Sequence, residues 1–85
     1  MPYIAEEQRS QYDYGLDMIE DIKTKGDLEY CIFKLMRKFM KTRDERYTQL
    51  HDAVYAAVHC GHEFNRRFLD KREDAAIEKN GDVVA

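Results

Sequence analysis

The chain has 85 residues, 44% hydrophobic and 36% charged, with a net charge of −3, one proline and four glycines. That length predicts one small domain with a high surface-to-volume ratio, and low Pro and Gly with high charge favours long helices over a β-sandwich. No apolar run approaches the roughly 20 residues of a membrane span, and Met1–Glu7 lacks the cationic start and apolar core of a signal peptide, so we expect a soluble, cytoplasmic protein with no membrane partner.

Residues 1–6 read as an extended arm, because Pro2 fixes its own φ and biases the residue before it away from helix. Tyr3 and Ile4 are its apolar anchors. A first helix is predicted over about 7–24, with Tyr12, Leu16, Ile19 and Ile22 at helical spacing and Met18 widening the face. Gly15 inside it suggests a close contact. Lys23 and Lys25 suit the C-terminal end of the dipole, and Gly26 suits the position after it. Asp27 is the predicted N-cap of a second helix over about 28–41, whose apolar face is Leu28, Cys31, Ile32, Leu35, Met36 and Phe39. Gly26-Asp27 then reads as a tight turn, with the two helices forming an antiparallel hairpin.

Residues 42–46 form a short charged connection, and Thr48 is the predicted cap of a third helix over about 48–79. Tyr47, Leu50, Val54, Ala57, Gly61, Phe64 and Phe68 follow a 3-4 alternation, the spacing by which helices pack in bundles and coiled coils. The middle of that stripe is small (Ala53, Ala57 and Gly61, with Ala56 and Cys60 beside it), which invites close helix approach. The pattern fails beyond Phe68, where Lys71 and Glu78 occupy apolar positions, so the helix either breaks near Asp70 or projects onward. Asn80-Gly81 is a stop signal, and 80–85 reads as a tail. The predicted fold is all-α: a helical hairpin plus a long third helix, bundle-like, with an extended N-terminal arm. A domain this small is often marginal alone, which favours a homo-oligomer, a dimer first.

Charge is segregated. Residues 1–29 carry eight acids and three bases; residues 30–50 carry six bases and two acids; residues 51–85 carry seven acids and five bases. Such separation can steer a partner or a second copy. Lys34, Arg37, Lys38 and Lys41 recur at i, i+3, i+4 and i+7, a basic stripe continued by Arg43 and Arg46, which a nucleic-acid backbone can use. A solvated face is the more ordinary role for it, so nucleic acid is an alternative partner and not the favoured one. Tyr30 belongs to an unusually tyrosine-rich set of six, and tyrosine serves both interfaces and base stacking. Arg66 and Arg67 form a pair able to grip phosphate or carboxylate, or to pair along the helix with Glu63 and Asp70. His59, His62 and Glu63 share one helix face and are the weak candidates for a metal. The order His-x-x-His-Glu matches no zinc-hydrolase pattern, so no metal or cofactor is assigned. Cys31 and Cys60 read as buried free thiols. With no nucleophile motif and no Gly-rich phosphate loop, an enzyme is not predicted.

Five segments together resemble a small family of uncharacterised bacterial and phage-encoded proteins, a domain of unknown function. They are Met1-Pro2-Tyr3-Ile4, Gly26-Asp27-Leu28-Glu29-Tyr30, Tyr47 with its following turn, Glu63-Phe64-Asn65-Arg66-Arg67, and Glu73-Asp74 through Ile77 to Asn80-Gly81-Asp82-Val83. Similar proteins tend to carry Pro-Tyr where this chain has Lys71-Arg72, and a terminal tyrosine where it has Val84-Ala85. The resemblance supplies no activity, cofactor or catalytic residue. It implies that Arg66, Arg67, Glu73, Asp74 and Asn80 form one polar cluster, and that a phage or mobile-element origin is plausible. The function expected is non-catalytic binding or assembly on a protein partner. The alternatives are a nucleotide or other small anion held at a subunit interface, and nucleic acid on the basic stripe.

Overall fold

The computed structural model describes residues 2–84, and helix is the only regular structure among them. Helix α1 spans Glu6–Asp17, α2 Lys25–Met40 and α3 Tyr47–Phe64; a π-helical turn, Asn65–Leu69, joins α3 directly to α4, Asp70–Asn80. The expected all-α fold is present. The helix that begins at Tyr47 does not break at Asp70 but runs on to Asn80 as one rod.

The first helix is shorter than expected. It stops at Asp17, and Met18, whose N–H still bonds the Tyr14 carbonyl, closes it. The reason is electrostatic. Asp13 and Asp17 sit in its second half, Glu20 and Asp21 follow, and no base lies in its last turn, so its C-terminal dipole meets only like charge. The second helix starts earlier than expected, and its cap is Thr24, not Asp27. Thr24 is extended (φ −125°, ψ 161°), and its hydroxyl accepts the Asp27 N–H at 3.0 Å. Gly26 therefore lies inside the first turn of α2, Asp27 places its carboxylate at the positive end of the dipole, and Lys23 falls in the connection. Thr48, the expected cap of α3, is likewise inside its helix, and Arg46 holds the cap position without a side-chain bond.

Pairing differs as well. Residues 41–46 are the connection across which two helices pack, α2 against α3, whereas α1 has no helix packed along it. Seven residues of irregular chain, 18–24, replace the expected tight turn, so the hairpin forms one element later. The packed flank of α3 contains Ala53, the one buried residue described at 6% exposure, with Gln49 and Ala57 half-buried one turn to either side. On α2, which packs against α3, Met36, Phe39 and Met40 are half-buried. The small-residue flank is thus used at Ala53 and Ala57 and then runs out. A Cβ placed on Gly61 would meet nothing within 4 Å, and neither would one on Gly15, so neither glycine marks a close contact. Tyr47, expected on the seam, is 79% exposed, and Phe64 and Phe68 form an exposed tilted pair with ring centroids 4.7 Å apart.

The 3-4 alternation lapses after Phe68, and a π turn lies at the same place. The Asp70 N–H bonds the Asn65 carbonyl five residues back, which inserts one residue into the spiral. One residue is about 100° of helix rotation, so the apolar positions of α4, notably Ile77, sit out of phase with those of α3. Gly81, with φ 88°, ends the rod, its N–H donating to the Ile77 carbonyl at 2.8 Å. Val84 N–H then bonds the Asp82 carboxylate.

Candidate functional site

The arm and the rod meet at one place. Tyr3 reaches the end of α3, where its hydroxyl accepts from the Arg67 guanidinium at 2.9 Å, and that guanidinium lies 5.8 Å from the Tyr3 ring centroid. This is a contact across 64 residues of sequence, and it lands on the π turn. Behind it, Arg66 closes an i,i+3 pair with Glu63, Nε and Nη2 at 2.7 and 2.6 Å from one carboxylate oxygen. Pro2, His59, His62, Glu63 and Arg66 line a shallow concavity of about 360 Å³ between arm and helix. The hydrogen bond to Tyr3, more than the nearby Glu63 charge, holds the Arg67 guanidinium above its ordinary pKa.

This geometry sorts the candidates. Arg66 and Arg67 both have partners, and those partners come from two of the segments that carry the family resemblance. Glu73, Asp74 and Asn80 do not join them. Glu73 lies seven residues beyond Arg66 and Asn80 thirteen beyond Arg67, about 10 and 20 Å along a rod rising 1.5 Å per residue, and neither hydrogen bond nor ion pair links the two groups among the described residues. The single polar cluster that the resemblance implied is therefore not formed: Arg66 and Arg67 find their partners at Glu63 and Tyr3, apart from Glu73, Asp74 and Asn80. Among the described residues no three His, Cys, Asp or Glu side chains are placed to hold one metal ion; Glu63, the carboxylate of the His59, His62, Glu63 set, is taken by Arg66.

On α2, Lys34, Arg37 and Lys38, with Lys41 just past its end, are exposed and make no ion pair among the described residues. Tyr30 stands beside Lys34 at 66% exposure. Arg43 and Arg46 leave the stripe for local partners. The Arg43 guanidinium stacks 3.7 Å above the Phe39 ring and donates to the Phe39 carbonyl, and Arg46 pairs with Asp44 at 2.8 Å. The two cysteines are not deeply buried: Cys31 is half-buried and Cys60 exposed.

One arrangement was missed. Tyr47, His51, Tyr55 and His59 form a ladder along α3, with His51 and Tyr55 stacked at 4.2 Å and the outer pairs tilted at 5.7 and 6.1 Å. Its signal, an aromatic or imidazole ring at every fourth residue, is plain in the sequence. Tyr3 on Arg67 had no local signal at all, since its partners lie at opposite ends of the chain.

Fold and site together define a small all-α protein in which an extended arm is clasped to a π-interrupted helical rod. The chain belongs to the family DUF6899, a domain of unknown function, whose model matches residues 1–83. No curated protein and no solved structure matches it. No helix described is long and apolar enough to cross a membrane.

Proposed function

We propose that the protein is a non-catalytic assembly factor that works as a homo-oligomer and offers charged helix faces to a macromolecular partner, in keeping with an accessory role in a phage or mobile element. One observation carries this reading: the chain leaves its apolar surface unburied. It exposes 8254 Å². A compact monomer of 10.1 kDa exposes about 5,300 Å² by the usual scaling of surface with mass. Part of the excess of about 3,000 Å² comes from its 51 Å length. Apolar side chains contribute as well: Leu28, Leu35, Leu50, Val54, Leu69 and Ile77 are each between 44% and 51% exposed. Obligate homodimers bury roughly 2,000–5,000 Å² in total, so association is the natural way to cover it.

Light scattering of the full chain over a concentration series tests this. The expected mass is a multiple of 10.1 kDa; a monomer that stays helical and cooperatively folded refutes it. Capture with the tagged oligomer identifies the macromolecular partner. A second reading draws on Lys34, Arg37, Lys38 and Lys41, which make no ion pair among the described residues. Nucleic acid bound there would show affinity falling steeply with salt, and no binding to DNA or RNA at low salt eliminates it.

A further inference from the structure

The concavity where the arm crosses the rod has the size that small molecules use. Its volume is about 360 Å³, within the roughly 300–1,000 Å³ of ordinary ligand sites. His59, His62, Glu63 and Arg66 form its helix side at i, i+3, i+4 and i+7, one continuous face, and Pro2 forms its arm side. At about 100° per residue, His59 and His62 lie at least about 120° round the helix from Ala53. They are therefore turned away from the flank that packs on α2, and both are exposed. Seven residues, about 10 Å of rise, separate its two ends. One end is a ring: His59 is the last rung of the ladder, 6.1 Å from Tyr55. The other end is a cation. Arg66 spends Nε and Nη2 on Glu63, at 2.7 and 2.6 Å, and Nη1 has no partner among the described residues. The Arg66 side chain is 69% exposed and that of Glu63 only 17%. Glu63 thus positions the guanidinium and leaves its outer edge open. Arg67 follows directly, so two guanidinium groups share one nearby carboxylate.

We infer that this concavity binds a small molecule made of a planar ring bearing an acidic group, either a nucleoside monophosphate or an aromatic carboxylate. The acidic group meets Arg66 Nη1 and His62, where charge-assisted hydrogen bonds are strong, and the ring lies between Pro2 and His59. The site belongs to one chain and does not depend on the oligomeric state. The arm completes it. Pro2 precedes Tyr3 and Arg66 precedes Arg67, so the 2.9 Å hydrogen bond from Arg67 to the Tyr3 hydroxyl ties the two walls together. Ligand binding and arm docking then favour each other by the same factor. Tyr3 and Glu63 are positioning residues here.

The test is calorimetric titration of the full chain with AMP, indole-3-carboxylate, adenosine and inorganic phosphate. AMP or indole-3-carboxylate should bind about tenfold or more tightly than adenosine or phosphate, and the tighter of the two ring acids assigns the source. Arg66→Gln should weaken that ligand by about tenfold or more with helicity unchanged by circular dichroism, and His59→Ala should weaken it as well. Tyr3→Phe should weaken it a few-fold. The bound ligand should slow proteolysis at residues 3–5 of the parent, and Arg66→Gln should lose that protection. Lys34→Gln with Lys38→Gln, on α2, should leave affinity unchanged. Absence of binding by either ring acid at millimolar concentration overturns the site. Adenosine or phosphate binding as tightly as the ring acids overturns the ligand class. Affinity lost with the lysine pair but kept in Arg66→Gln places the ligand elsewhere, and arm cleavage unmoved by a bound ligand removes the arm as a wall.

Discussion

Substituting Gly61 with alanine separates the contact described here from the longer seam that the heptad pattern suggests. Gly61 lies within α3, four residues beyond half-buried Ala57, where the stripe suggests a helix–helix approach too tight for a side chain. In the structure a Cβ at this position meets nothing within 4 Å, so no steric term opposes the substitution. What remains is backbone propensity, which favours alanine over glycine by about 0.8–1.0 kcal/mol in a helix interior. One kcal/mol moves the midpoint of a domain of this size by roughly 4–8 °C. Gly61→Ala should therefore raise Tm by several degrees, read by circular dichroism at one fixed protein concentration because an oligomer melts in a concentration-dependent way. Gly15→Ala has the same open surroundings but lies in α1, which packs along no other helix, so its gain should appear as slower amide exchange within α1 more than as a higher global Tm. A Gly61→Ala variant that melts lower, or loses mass in light scattering, would refute the reasoning, because it would place another helix against Gly61.

Three further outcomes are expected. Thr24→Ala removes the hydroxyl that caps α2 and should cost about 1 kcal/mol in urea unfolding with an unchanged m-value, whereas Asp27→Ala should cost less because that carboxylate acts through the dipole alone. Ala53→Leu adds bulk at the one buried position described and should destabilise by about 1–3 kcal/mol, while Ala56→Leu, on an exposed position of the same helix, should be near neutral. Tyr3→Phe keeps the ring and deletes the acceptor for Arg67, so residues 3–5 should be cut sooner by protease without a change in helicity. The pH sign for this clasp is set by the raised Arg67 pKa. Its contribution is complete below the ordinary arginine value and fades only as pH climbs through the higher folded value, so arm protection should stay flat from mildly acidic to mildly alkaline solution.

Helices with an apolar period were legible because periodicity is a local property. The rod from Tyr47 and the apolar face of α2 follow directly from spacing. Boundaries set by capping were harder, since Thr24 and Asp27 are both good caps and the dipole-opposing acids Asp13 and Asp17 decided where α1 ends. The choice of partner was not legible. The small middle of the stripe was named as Ala53, Ala57 and Gly61, and Ala53 and Ala57 are the ones covered, whereas Tyr47, Val54 and Gly61 stay exposed because the packed flank is rotated slightly from the 3-4 line. At the site, Arg66 with Glu63 lies within ordinary helix spacing, as does the tyrosine–histidine ladder. Arg67 with Tyr3 needs the path of the whole chain, and the implied cluster with Glu73, Asp74 and Asn80 failed on simple rise per residue.

The π turn gives the rod a place where its length can change without harm. Losing a single residue from 65–69 would let that loop rewind into ordinary α-helix with every hydrogen bond remade, and the far end would keep its facing. The same loss within 49–57 would turn Ala53 out from under α2. Length variation among relatives should therefore collect at this turn, where a residue can be gained or lost while the last eleven residues of helix keep their facing.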